Sequence, residues 1–143
     1  MLTVRTILHP TDFSEPSRAA WQVACALAQT YKARLVALHV VMPVTMAYGE
    51  VITTEAVEQQ VASARQALEQ WQPTESGLNV ERLLETGDPV EVILRVADRL
   101  PADLIVLGSH GRTGLARLLL GSVAEQVVRK ASCPVLVVKR PLP

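Results

Sequence analysis

Aromatic side chains are scarce in this chain: they make up 3% of its 143 residues, with a single Phe. Any core must come mainly from Val, Leu and Ala, which dominate a hydrophobic content of 49%. Such a palette suits helices packed on a sheet. Cysteine is scarce too. Cys25 and Cys133 lie far apart with no CxxC spacing, which speaks against a disulfide framework or a thiolate zinc site. They read as reduced thiols in or near the core. Charge of one sign is missing as well, with 14 Lys and Arg against 14 Asp and Glu. That balance removes the electrostatic footprint expected of a partner such as nucleic acid or an anionic membrane. No apolar run approaches the roughly 20 residues that span a bilayer. Met1-Leu-Thr-Val-Arg5 leads straight into a strand and lacks a signal-peptide layout, so a cytoplasmic location is expected. The length suits one domain over residues 1–143, and no repeat, linker or low-complexity segment divides it.

What is present is alternation of strand and helix. Arg5–His9 reads as a strand, and Ser14 as the N-cap of a helix that runs to about Tyr31. Arg34–Val41 is almost continuously apolar, as a strand covered on both faces should be. Residues 42–53 have no clear period and read as a loop. Thr54 opens a second helix with Val57, Val61, Ala64, Leu68 and Trp71 on one stripe. Leu78–Leu84 reads as a strand nearer an edge. Asp88-Pro89 marks a capped helix start, with Val92, Ile93, Val96 and Leu100 inward. Asp103–Leu107 is a fourth strand. Ser122-Val-Ala-Glu125 has capping-box spacing, which makes Ser122 the N-cap of a helix carrying Val123, Val127 and Val128 and ending near Ser132. Pro134–Lys139 closes as a fifth strand. Five strands alternating with four helices predict an α/β fold: an open parallel sheet covered on both faces. Ligands of such sheets sit beyond the carboxyl ends of the strands, where strand order reverses. That rule selects His9-Pro10-Thr11-Asp12, Val40-Val41 and the segment from Gly108.

The last of these holds four of the seven glycines, at Gly108, Gly111, Gly114 and Gly121. A buried strand followed by glycines, hydroxyls and a helix start is how a backbone seat for phosphate is built. A glycine turn needed only for tight helix–strand packing is the alternative. The segment is not a Walker A loop, since GxxxxGK[ST] is absent and no lysine occurs between Lys32 and Lys130. It is not the GxGxxG fingerprint either, and it follows the fourth strand instead of the first.

The spacing of Gly108, Gly111, Gly121 and Ser122, G-x2-G-x9-G-[ST], resembles the nucleotide-binding signature of the universal stress protein family, in its ATP-binding branch. Ile7-Leu-His-Pro-Thr-Asp12-Phe-Ser, Leu38-His-Val-Val41, Gly87-Asp-Pro89 and Cys133-Pro-Val-Leu-Val-Val-Lys139 extend the resemblance over essentially the whole chain. It implies a Rossmann-like sheet ordered 3-2-1-4-5, of the kind shared with adenine nucleotide alpha hydrolases. It also implies a stress-response protein that works as an ATP-dependent switch, with bound phosphate ordering the loop from Gly108 to Gly121. Asp12 and Val40 would hold adenine, and Pro10, Thr11 and Gly108 would lie along the ribose. Gly111, Gly121, Ser122 and Val123 would offer backbone N–H groups and a hydroxyl to the phosphates, with Arg112 forking onto their oxygens. ATP is the expected cofactor, with AMP or ADP as alternatives and Mg as counter-ion. A homodimer is implied through Val135, Leu136, Val137 and Val138, an apolar strand that would otherwise stand at an open sheet edge.

Other roles compete at several positions. Asp12 could cap the first helix or brace the turn after Pro10. The Ser122 hydroxyl could be occupied by its own cap. His9 and His39 end neighbouring strands, without metal-ligand spacing, and read as structural. No nucleophile has an evident base, so an enzyme would be at most a slow ATPase or a nucleotidyl- or phosphoryl-transferase. A third expectation is an interaction module that binds no nucleotide.

Overall fold

The computed structural model describes residues 2–43, 53–109 and 120–140. Among them five strands form one parallel sheet: β1 (Thr6–Pro10), β2 (Arg34–Val41), β3 (Val80–Thr86), β4 (Leu104–Gly108) and β5 (Val135–Val138). The helices between them are α1 (Glu15–Tyr31), α2 (Thr54–Glu69), α3 (Pro89–Arg99) and α4 (Ser122–Lys130). The sheet order is β3-β2-β1-β4-β5, as the sequence implied.

Strand alternation divides the core between two faces. Ile7, Leu35, Ala37 and Val106 face one way, against Ala20, Ala24 and Ala28 of α1. The four-residue spacing of these alanines keeps a small-residue stripe on the sheet, so the helix can pack closely. Leu8, Val36, Leu38, Ile105 and Leu107 face the other way, against Val92, Ile93 and Val96 of α3 and Ala124 and Val127 of α4.

Local chemistry sets the helix ends. The Ser14 hydroxyl accepts from the Ser17 N–H, and Pro16 stands in the first turn of α1. Asp88 caps α3 by accepting from the Glu91 N–H, with Pro89 as first helical residue. Just before it, Gly87 holds φ +146°, a conformation open to glycine and rarely to other residues.

Three expectations need correction. The N-cap of α4 is Gly121, with no side-chain cap bond, and Ser122 is the first helical residue. An S-x-x-E pattern one position further into the helix looks identical in sequence. Val128 is exposed, because the inward stripe of this short helix is carried by Ala124 and Val127. Trp71 lies beyond the end of α2, yet it is buried, so tertiary packing and not the helical stripe buries it.

Candidate functional site

β1 is the switch point of the sheet, and its two flanks differ. It pairs with β2 from Thr6↔Arg34 through Pro10↔Leu38. Its ladder with β4 covers only Ile7↔Leu104 and Leu8↔Ile105. Pro10 has no N–H to donate, so the β1 ladder cannot gain a further donor at its end. The buried His9 side chain bridges the gap, with Nδ1 2.9 Å from the Val106 carbonyl oxygen. A carbonyl only accepts, so Nδ1 carries the hydrogen and Nε2 is left as a buried lone pair with no partner among the described residues. Burial pushes the His9 pKa down from 6.5 to about 4, against smaller opposing effects of the Val106 hydrogen bond and the Asp12 charge.

Beyond this separation a cleft of about 340 Å³ opens between the strand ends and the first turn of α4. Its size falls within the roughly 300–1,000 Å³ common for small-molecule sites. Of the residues expected from sequence, Pro10, Thr11, Asp12, Val40, Gly108, Gly121, Ser122 and Val123 all line it. Gly111 and Arg112 lie outside the described residues. The separate stretches selected from strand-end positions thus converge on one cavity.

Asp12 is held by the turn that carries it. Its Oδ1 accepts from the Ser17 hydroxyl at 2.7 Å and from the Ser14 N–H at 3.0 Å. It therefore braces the β1–α1 turn, while Ser14 does the capping. Gly108 faces α1 at close quarters: a Cβ there would fall 2.7 Å from the Pro16 carbonyl carbon and 2.8 Å from its oxygen. Packing alone thus requires glycine at 108, whatever the cleft holds.

At the other wall, the Gly121 N–H donates to the Ser109 carbonyl at 2.7 Å. Gly121 is therefore not the donor the sequence suggested. The N–H groups of Ser122, Val123 and Ala124 come next, in the first helical turn, where no intrahelical acceptor is available. The positive end of the helix dipole adds to them. Because Gly121 takes the capping position, the Ser122 hydroxyl is not occupied by a cap.

Sequence reasoning missed several lining residues. Leu38, Pro89, Ile93 and Leu107 give the cleft an apolar wall. Ile93 was legible as a helix-stripe residue but not as a wall. Ser17 and Ala124 were also missed. Their roles depend on how a turn folds back and where a helix begins, and no spacing rule shows either. Among the described residues no group of three or more His, Cys, Asp or Glu is arranged to hold a metal.

An open parallel sheet with helices on both faces and a cleft at the reversal of strand order defines a doubly wound, Rossmann-like α/β protein. Comparison with known proteins narrows the class. The sequence profile of the universal stress protein family matches residues 3–139. A universal stress protein of Thermus aquaticus is 36% identical over 135 residues, covering 94% of this chain and 98% of that protein. The solved structure of MJ0577, a universal stress protein of Methanocaldococcus jannaschii, superposes with a TM-score of 0.85 at 33% identity and covers 99% of both chains. A universal stress protein solved in complex with cAMP superposes with a TM-score of 0.63 at 26% identity, covering 95% of this chain and 97% of that one. This chain belongs to the universal stress protein family.

Proposed function

We propose that the cleft binds an adenine nucleotide, ATP foremost, and that the protein is a stress-response switch whose state follows that ligand. The observation that carries this reading is the cleft's two-sided character. An apolar wall of Leu38, Val40, Ile93 and Pro89 suits a flat base. The lining also holds a helix N-terminus, where the N–H groups of Ser122, Val123 and Ala124 have no acceptor within the helix, which suits phosphate oxygens. Thr11 and Asp12 stand at the end of β1 and supply polar contacts for base and ribose. A related protein in complex with cAMP supports an adenine ligand.

Within this reading Gly111 and Arg112 complete the phosphate seat, and Gly121 acts by shape, allowing the approach to Ser109, instead of by its own N–H. Mg would arrive as counter-ion of the phosphates. Occupancy of the α4 N-terminus is the signal a partner surface would read. A homodimer through β5 would cover the sheet edge where Leu136 is exposed. The cytoplasm is the compartment this reading gives the protein.

The test is to purify the protein, denature it and identify any released nucleotide. An adenine nucleotide is expected. Gly121→Val should abolish retention while leaving the far-UV circular dichroism largely intact. No released nucleotide, together with no heat on titration of ATP or AMP, would replace the reading with that of an interaction module. Turnover of ATP above background, lost in Asp12→Ala, would make the protein an enzyme.

A further inference from the structure

The turn that presents Thr11 and Asp12 to the cleft contains a strained residue. Phe13 holds φ +66°, in the left-handed region that a bulky side chain rarely occupies. Something must hold it there. Its N–H donates to the Thr11 hydroxyl at 3.0 Å. Its ring packs on the His39 imidazole, with centroids 4.3 Å apart, and meets Trp71 edge-on at 5.7 Å. His39 also acts on the turn directly: Nδ1 lies 2.7 Å from the Thr11 carbonyl oxygen. That oxygen only accepts, so Nδ1 is the donor. The Thr11 N–H is in turn bound to the Leu38 carbonyl, next to His39 in β2. Both backbone groups of Thr11 are thereby tied to the end of β2, one of them through a side chain.

We propose that His39 is a positioning residue of the nucleotide site. Its hydrogen bond to the Thr11 carbonyl, with a smaller contribution from its ring on Phe13, holds the Thr11–Asp12 turn in the shape that presents both residues to the ligand. This rests on the nucleotide reading for its functional consequence, though not for the geometry of the turn. His39 also lines the cleft, so it couples the end of β2 to the end of β1 across the site. Phe13 alone cannot supply the hold, because its own backbone is the strained part.

Asparagine and glutamine variants separate this role from general packing. The amide nitrogen of Asn can take the place of histidine Nδ1, whereas that of Gln reaches toward the place of Nε2. Three variants follow: His39→Phe keeps a ring without the donor, His39→Asn restores a donor at the Nδ1 position, and His39→Gln places one wrongly. Affinity for ATP and AMP is measured by calorimetry, with urea midpoints to check folding. Backbone amide signals of Asp12, Phe13 and Ser17 are recorded without ligand. Loss of one hydrogen bond of this kind weakens binding roughly fivefold to tenfold. His39→Phe and His39→Gln should show that loss, with the three amide signals displaced. His39→Asn should bind within about threefold of wild type, with the signals returned toward their original positions.

Equal affinity and unmoved signals in folded His39→Phe would overturn the proposal. So would an Asn variant as weak as the Phe variant. A wild-type protein that binds no nucleotide, yet shows the displacement and its rescue, would overturn the nucleotide reading while the hold on the turn stood.

Discussion

Lowering the pH should destabilise this protein through one buried group. His9 is fully buried, donates from Nδ1 to Val106 and has no partner at Nε2 among the described residues. A proton on Nε2 would put both a charge and an unmet donor into the core, which is why burial lowers its pKa from 6.5 to about 4. Above pH 6.5 the ring is neutral in folded and unfolded chains alike, and the full stability is present. As the pH falls from 6.5 towards 4, the unfolded chain takes up a proton that the folded chain refuses, and stability is lost. Each unit of difference is worth about 1.36 kcal/mol. The loss therefore reaches about 2 kcal/mol at pH 5 and about 3 kcal/mol once both states are protonated. The assay is urea unfolding at pH 7.5 and pH 5. His9→Asn serves as reference, since its amide can bond Val106 without titrating in this range. Wild type should lose about 2 kcal/mol more than the variant between the two conditions. Parallel losses in the two proteins would refute the buried, neutral assignment of His9.

Two further outcomes follow from the same packing. Gly108→Ala would drive a methyl group into the Pro16 backbone at 2.7–2.8 Å, so it should destabilise the protein by about 1–3 kcal/mol with or without nucleotide, read from thermal or urea unfolding. The Cys25 thiol, raised to about 12 chiefly by burial, should resist alkylation at pH 8 until denaturant is added; prompt labelling of Cys25 in the folded protein would contradict its burial.

Much of this architecture could be read in the sequence, for physical reasons. β2 was legible because a stretch of eight residues with only Arg34 and His39 polar suits a strand covered on both faces. The start of α3 was legible because Asp-Pro states both its cap and its first residue. The strand ends that meet in the cleft were legible because topology, not spacing, dictates where ligands of such sheets sit. What escaped depends on contacts between segments. The capping-box spacing at Ser122 pointed to a register one residue later than the one adopted, in which the first helical bond runs from the Glu125 N–H to the Gly121 carbonyl and Gly121 itself is tied to Ser109. Trp71 continued a helical stripe in sequence, but the chain leaves the helix before it. The indole instead joins a cluster with His9, Phe13 and Trp21. No spacing rule pointed to Ser17, because only the way the turn folds back places its hydroxyl on Asp12. Gly108 seemed to belong to a phosphate loop, and its first requirement turns out to be the room taken by Pro16.

The nucleotide assignment is tested most directly by amide NMR during titration with ATP. Phosphate at the start of α4 should shift the N–H signals of Ser122, Val123 and Ala124 strongly, together with those of Thr11, Asp12 and Val40, while Gly121, bound to Ser109, moves less. Saturating ATP that leaves Ser122, Val123 and Ala124 unmoved would contradict the account.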